Sequence, residues 1–107
     1  MMKSVIVGLC GPARHDIPNV DNFLFPAMVE SPLAFDSHYT DSINFIDGLS
    51  DDTHLHLYKT GLTPVLTSFL SAWVQRNDER RRAGAKTRPL TLYHYNRDTN
   101  DYDSHLF

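Results

Sequence analysis

The segment THLHLYK, residues 53–59, and the segment LTPVLTSFLSAWV, residues 62–74, constrain the fold more than any other part of the chain. In the first, apolar and polar side chains alternate, with Leu55 and Leu57 on one side and His54, His56 and Tyr58 on the other, the period of a strand. In the second, Leu62, Val65, Leu66, Phe69, Leu70, Trp73 and Val74 recur at spacings of three and four, the stripe of an amphipathic helix. The polar run QRNDERRRAGAK continues that helix as an exposed extension, which Gly84 ends. RPLTLYHY then reads as a second strand, opened by a proline where a missing donor is tolerated. Strand, helix and strand in this order form a parallel crossover, and such crossovers are right-handed almost without exception.

The remaining segments fit round this unit. KSVIVGL is a nearly continuous apolar, β-branched run, as expected of a strand buried on both faces between helices, and CGPARHD ends it. NRDTND is a turn by composition, and YDSHLF returns as an antiparallel edge strand. Residues 12–50 are harder to read because Pro18, Pro26 and Pro32 interrupt them. Residues 23–29 read either as a short helix or as an irregular flap. TDSINFIDGLSDD reads as a helix capped by Thr40 and ended by Gly48, with Ile43, Phe45 and Ile46 inward, or as an edge strand. The fold class expected is α/β: one small Rossmann-like domain over residues 1–107, in two or three layers. Its sheet is mainly parallel with flanking helices and a C-terminal antiparallel edge hairpin.

Composition narrows the function. A chain of 107 residues with 41% hydrophobic and 21% charged residues builds one packed core. A formal net charge of −3 argues against gripping duplex nucleic acid along a broad face, but leaves room for a small anion held by local geometry. Cys10 is the sole cysteine, so no intrachain disulfide forms and a reducing compartment is expected. The opening MMKSVIVGLCGPARHD is too short an apolar run for a signal-peptide core or a membrane span, which predicts a cytoplasmic protein without membrane attachment.

The junction KTGLTP between residues 59 and 64 is the candidate site. A helix start leaves backbone N–H groups unpaired and carries partial positive charge. Thr60 or Thr63 can cap it, Pro64 suits an early helical position, Gly61 permits close approach and Lys59 adds a cation. The same residues also serve a purely structural helix start. Topology raises the functional reading, since ligands of open parallel sheets bind outside the carboxyl ends of the strands. Gly8, Cys10, Gly11, Arg14 and His15 would reach that rim from the first strand, and His94 and Tyr95 from the last parallel one. The ligand expected is an anionic nucleotide, with Tyr95 stacking on a base and His94 or His15 assisting proton transfer if there is turnover. No cofactor and no metal are expected.

The strand followed by Thr-Gly-x-Thr and a helix, LYKTGLT, resembles the second conserved motif of CARF-type Rossmann-like domains, which recognise cyclic oligoadenylates in CRISPR antiviral defence. That family more often has a second glycine and then a basic residue where this chain has Leu62 and Pro64. The resemblance implies a homodimer with the ligand across its two-fold axis and, as in ring nucleases, slow metal-independent phosphodiester cleavage by a ribose 2′-hydroxyl. The alternative from a different class is a non-enzymatic interaction module of a mobile element or virus, presenting Phe23, Phe25 and Met28 to a partner.

Three further patterns have readings of their own. His54-x-His56 has a spacing that metal sites use, but no third ligand is evident and strand histidines are commoner. Cys10 near His15 is a thiol–imidazole pair only by proximity in sequence, and a small buried hydrophobe otherwise. Arg76, Arg80, Arg81, Arg82, Lys86 and Arg88 hold six of the ten basic residues and read as a solvated helix end, far from the junction.

Overall fold

The computed structural model describes residues 3–11, 20, 22–26, 31, 33–60 and 63–107. The elements are β1 (Lys3–Gly11), β2 (Asn22–Pro26), α1 (Phe35–Asp47), β3 (Thr53–Tyr58), α2 (Thr63–Arg82), β4 (Leu90–Asn96) and β5 (Asp101–Leu106). They build one five-stranded sheet in the order β2-β1-β3-β4-β5. The first four strands in this order are mutually parallel, and β5 closes the edge antiparallel to β4. This is the small α/β, Rossmann-like architecture that the sequence predicts.

Each element has a local cause. In β3 the alternation puts Leu55 and Leu57 wholly inside, while His54 and His56 stay half-exposed. The α2 stripe buries Val65, Leu66, Phe69 and Trp73, together with the small Ser68 and Ala72 between them. Leu70 is half-buried and Val74 is exposed, so the apolar face is narrower than the sequence stripe. Gly84, at φ 76°, takes the left-handed turn that ends α2. The Ala85 and Gly84 N–H groups there reach back to the carbonyls of Arg80 and Arg81, a Schellman closure.

The crossovers β2-α1-β3 and β3-α2-β4 advance in the same direction across the sheet. The right-handed rule therefore puts both helices on one face, and α1 and α2 pack against each other there. Val7 and Leu9 of β1, Leu55 and Leu57, and Leu90 and Leu92 meet Ile46, Val65, Phe69 and Trp73 in a single core. Among the described residues no helix covers the opposite face. The continuous apolar run of β1 is buried without a break from Val7 to Gly11, as the sequence predicts for a strand covered on both faces.

Residues 20–50 depart most from expectation. Residues 22–26 form a strand, neither helix nor flap, whose backbone pairs in parallel with β1 from Val7↔Asn22 to Gly11↔Pro26. Gly11 is required at that junction because a Cβ there would overlap the Phe23 ring. The helix in TDSINFID exists, but it begins at Phe35, and Thr40 lies inside it. Its buried stripe is His38, Ser42 and Ile46, held by a hydrogen bond between His38 Nε2 and the Ser31 carbonyl (2.9 Å) and by Ser42 Oγ donating to the His38 carbonyl (2.7 Å). Gly48 ends α1, as expected.

Candidate anion-binding rim

The strand order changes direction between β1 and β3, because the chain leaves β1 toward β2 and returns past it to β3. In open α/β sheets such a point opens a crevice at the carboxyl ends. Register gives the crevice its depth. Gly8, Tyr58 and Tyr93 lie level, and β3 stops at Tyr58. β1 continues three residues further, to Gly11, and β4 three further, to Asn96. The two longer strands thus flank a notch above the end of β3, which Lys59 and Thr60 partly fill, Thr60 up to the level of Cys10.

Residues 59 and 60 line the notch and are stitched to both neighbouring strands. The Lys59 N–H donates to the Tyr93 carbonyl (2.8 Å). Thr60 Oγ1 accepts from the Cys10 N–H (3.0 Å) and donates to the Cys10 carbonyl. The Thr60 hydroxyl therefore holds the end of β1 instead of capping the helix. Thr63 is the first residue of α2, and its carbonyl accepts from the Thr67 hydroxyl (3.1 Å). No acidic residue lies in the first turn of α2 itself, whose unpaired N–H groups carry partial positive charge.

The predicted site residues divide into groups. Lys59 and His94 come together: Lys59 follows Tyr58, which is level with Tyr93, and alternation puts both side chains on the helical side. His94 is held below the ordinary imidazole range by its burial first, then by His105 and by the Lys59 charge. Tyr95 goes to the other face, where its hydroxyl donates to Asn100 Oδ1 (3.3 Å). Gly8, Cys10 and Gly11 are buried and serve as wall. Arg14, His15 and Gly61 lie outside the described residues, as does Met28.

Sequence reasoning missed His105. On β5 it pairs with Leu92, diagonal to His94, and the two rings stack at 4.9 Å with planes 4° apart. The signal was there, since a four-residue turn at residues 97–100 puts positions 94 and 105 on the same side of the hairpin.

The opposite face carries an aromatic ladder. His54 and His56 stack at 4.3 Å, Tyr58 and Tyr93 stack at 4.3 Å, and Tyr102 meets both Tyr58 and Tyr95 edge-on. His54 Nε2 hydrogen-bonds Thr91 Oγ1 (2.7 Å), and His56 Nδ1 bonds the Tyr93 hydroxyl (2.9 Å). Burial, and then the His54 charge, lower the His56 pKa. Among the described residues no three metal-ligating side chains converge, and this histidine pair is engaged in the ladder.

The basic cluster is also a structural device in part. Arg76 makes a bidentate pair with Asp47 (2.9 and 3.0 Å), and Arg80 reaches Asp51 (3.1 Å). Arg88 is buried and donates to the carbonyls of Leu49 (2.8 Å) and Ser50 (3.0 Å). Arg81 and Arg82, paired with Asp78, match the solvated helix end expected, and Lys86 beyond them is exposed as well.

These features define a small open α/β domain with its strand-end crevice between β1 and β4. No family model, curated protein or solved structure matches the chain. Among the described residues no helix is long and apolar enough to cross a membrane.

Proposed function

We propose that this protein binds a nucleotide-type anion, with cyclic oligonucleotides the foremost class, in the notch at the carboxyl ends of β1, β3 and β4. The observation that carries the reading is the nearness of Lys59 to His94 at the carboxyl end of the sheet, on the stretch of chain that leads into an α2 whose first turn carries no acid. Phosphate oxygens would accept from the Lys59 ammonium and from backbone N–H groups at the helix start. His94 supplies a further donor when protonated and a proton acceptor when neutral. A homodimer with the ligand across its axis is part of the proposal, as is slow cleavage by the ligand's own 2′-hydroxyl.

The interaction-module reading draws mixed support. It called for exposed large apolar groups within residues 17–50; Phe25 is 6% exposed and Phe23 half-buried, while Leu33 and Phe35 are exposed at the start of α1. The test of the binding reading is a titration against linear and cyclic nucleotides, with native mass spectrometry for subunit count. Lys59→Ala is expected to weaken the best ligand about tenfold, the loss of one charge-assisted hydrogen bond. Undiminished affinity in that variant would remove the notch as the site.

A further inference from the structure

β5 is the outer strand of the sheet, and among the described residues no further strand pairs with it. The Phe107 N–H donates to the Leu90 carbonyl (2.8 Å), which fixes the hydrogen-bond phase of the whole strand. With the register running from Thr91↔Leu106 to Asn96↔Asp101, residues 101, 103 and 105 turn their backbone groups toward β4. Residues 102, 104 and 106 turn theirs outward. The Tyr102 N–H bonds Asp101 Oδ1 (2.8 Å), and Ser104 and Leu106 are exposed. Such an edge is a template for another strand, and folded proteins commonly blunt it with Lys, Pro or a bulge. β5, with the sequence DYDSHL and an unbroken register on β4, has none of these. Apolar surface gathers beside it: Val74, Leu106 and Phe107 are exposed, and Val74 and Phe107 line one groove with Trp73.

We infer that β5 is a self-association edge, pairing antiparallel with β5 of a second copy about a two-fold axis at Ser104. Phase and charge select both the occupant and the register. An axis at residue 102 or 103 sets acid against acid, Asp101 on the partner's Asp103 or Asp103 on the partner's Asp103, and an axis at 105 or 106 pairs fewer residues. At 104 the Ser104 N–H donates to the partner's Ser104 carbonyl and the Leu106 N–H to the partner's Tyr102 carbonyl, each bond repeated by the axis. Asp103 then faces the partner's His105, carboxylate against imidazole, and Tyr102 faces the partner's Leu106 on the other side of the sheet. The axis stands perpendicular to the sheet, so the two sheets become one with the helices of both copies on the same face. The strands of the two copies run oppositely, which puts the two notches at opposite ends. This interface is therefore distinct from the axis across which a ligand is shared in the binding reading, and it does not depend on that reading.

The test uses the full chain without ligand, by analytical ultracentrifugation over a range of concentrations and by amide hydrogen exchange followed residue by residue. The parent should associate, with the Ser104 and Leu106 amides exchanging roughly tenfold more slowly in concentrated than in dilute protein. Ser104→Pro removes an outward donor and spares the bonds to β4, so it should halve the mass of the assembly. His105→Asp sets acid against acid on both sides of the axis and should weaken association about tenfold. Adding Asp103→His to it reverses the pair and should restore association, which a misfolded variant would not do. A parent that sediments as a monomer throughout, an unchanged mass in Ser104→Pro, exchange at Ser104 and Leu106 that ignores concentration, or no rescue by the reversed pair would each overturn the inference. A ligand titration decides the binding reading separately, since none of these results bears on it.

Discussion

Thr60 shows how one side chain can change role between sequence and fold. Locally it is a plausible helix cap, but its hydroxyl is bound to both backbone groups of Cys10, fifty positions away. No local pattern encodes that partner, because it depends on β1 standing taller than β3. Thr60→Val should lower the unfolding free energy by about 1–3 kcal/mol by orphaning those groups, while Thr60→Ser keeps most of it, measured by urea denaturation. His56 and His94 carry a pH signature at the same scale. Both are held below the ordinary imidazole range, chiefly by burial, so the folded protein favours their neutral forms. The unfolded chain binds more protons between the folded values and about 6.5, hence stability rises with pH across that window. It should be complete above about pH 6.5 and fall as the medium is acidified through the folded values. Urea midpoints across this range should decline less for His56→Gln or His94→Gln than for the parent; an unchanged slope would contradict the burial argument.

At the scale of elements, legibility followed periodicity. β3, α2, β4 and β5 were readable because alternation, a three–four stripe and turn composition each point one way. β2 was not, since five residues ending in Pro26 gain their pairing from β1 and not from their own pattern. α1 was ambiguous because its buried stripe is His38, Ser42 and Ile46, two of them polar and satisfied only by backbone carbonyls. The arginines divide by geometry in a way that charge counting hides. Arg88 bridges the carbonyls of Leu49 and Ser50 from a buried position, joining the α2–β4 connection to the α1–β3 loop. Arg88→Met should cost about 2–3 kcal/mol. Arg88→Lys should not restore it, because one ammonium does not reproduce the fork. Arg81→Ala and Arg82→Ala, by contrast, lose only exposed pairs with Asp78 and should each shift stability by less than about 1 kcal/mol in the same denaturation experiment.

For the whole molecule, the strand order turns these local facts into a candidate site. Three parallel strands end at unequal heights, and the shortest feeds the long helix, so Lys59 and His94 meet on one side while the tyrosine ladder occupies the other. The rim and its Lys59–His94 edge were foreseeable from strand–helix–strand alone. The separation of Tyr95 from His94 was also implicit, since neighbours on a strand face opposite ways. The arrival of His105 required the hairpin register. The most direct test of the central claim is a two-dimensional ¹⁵N–¹H NMR titration with cyclic tetra-adenylate. The account predicts saturable shifts clustered at the amides of residues 58–60, at Thr63 and Val65, and at His94, all weakened in Lys59→Ala. No saturable shift, or shifts confined to the arginine end at residues 76–88, would contradict it.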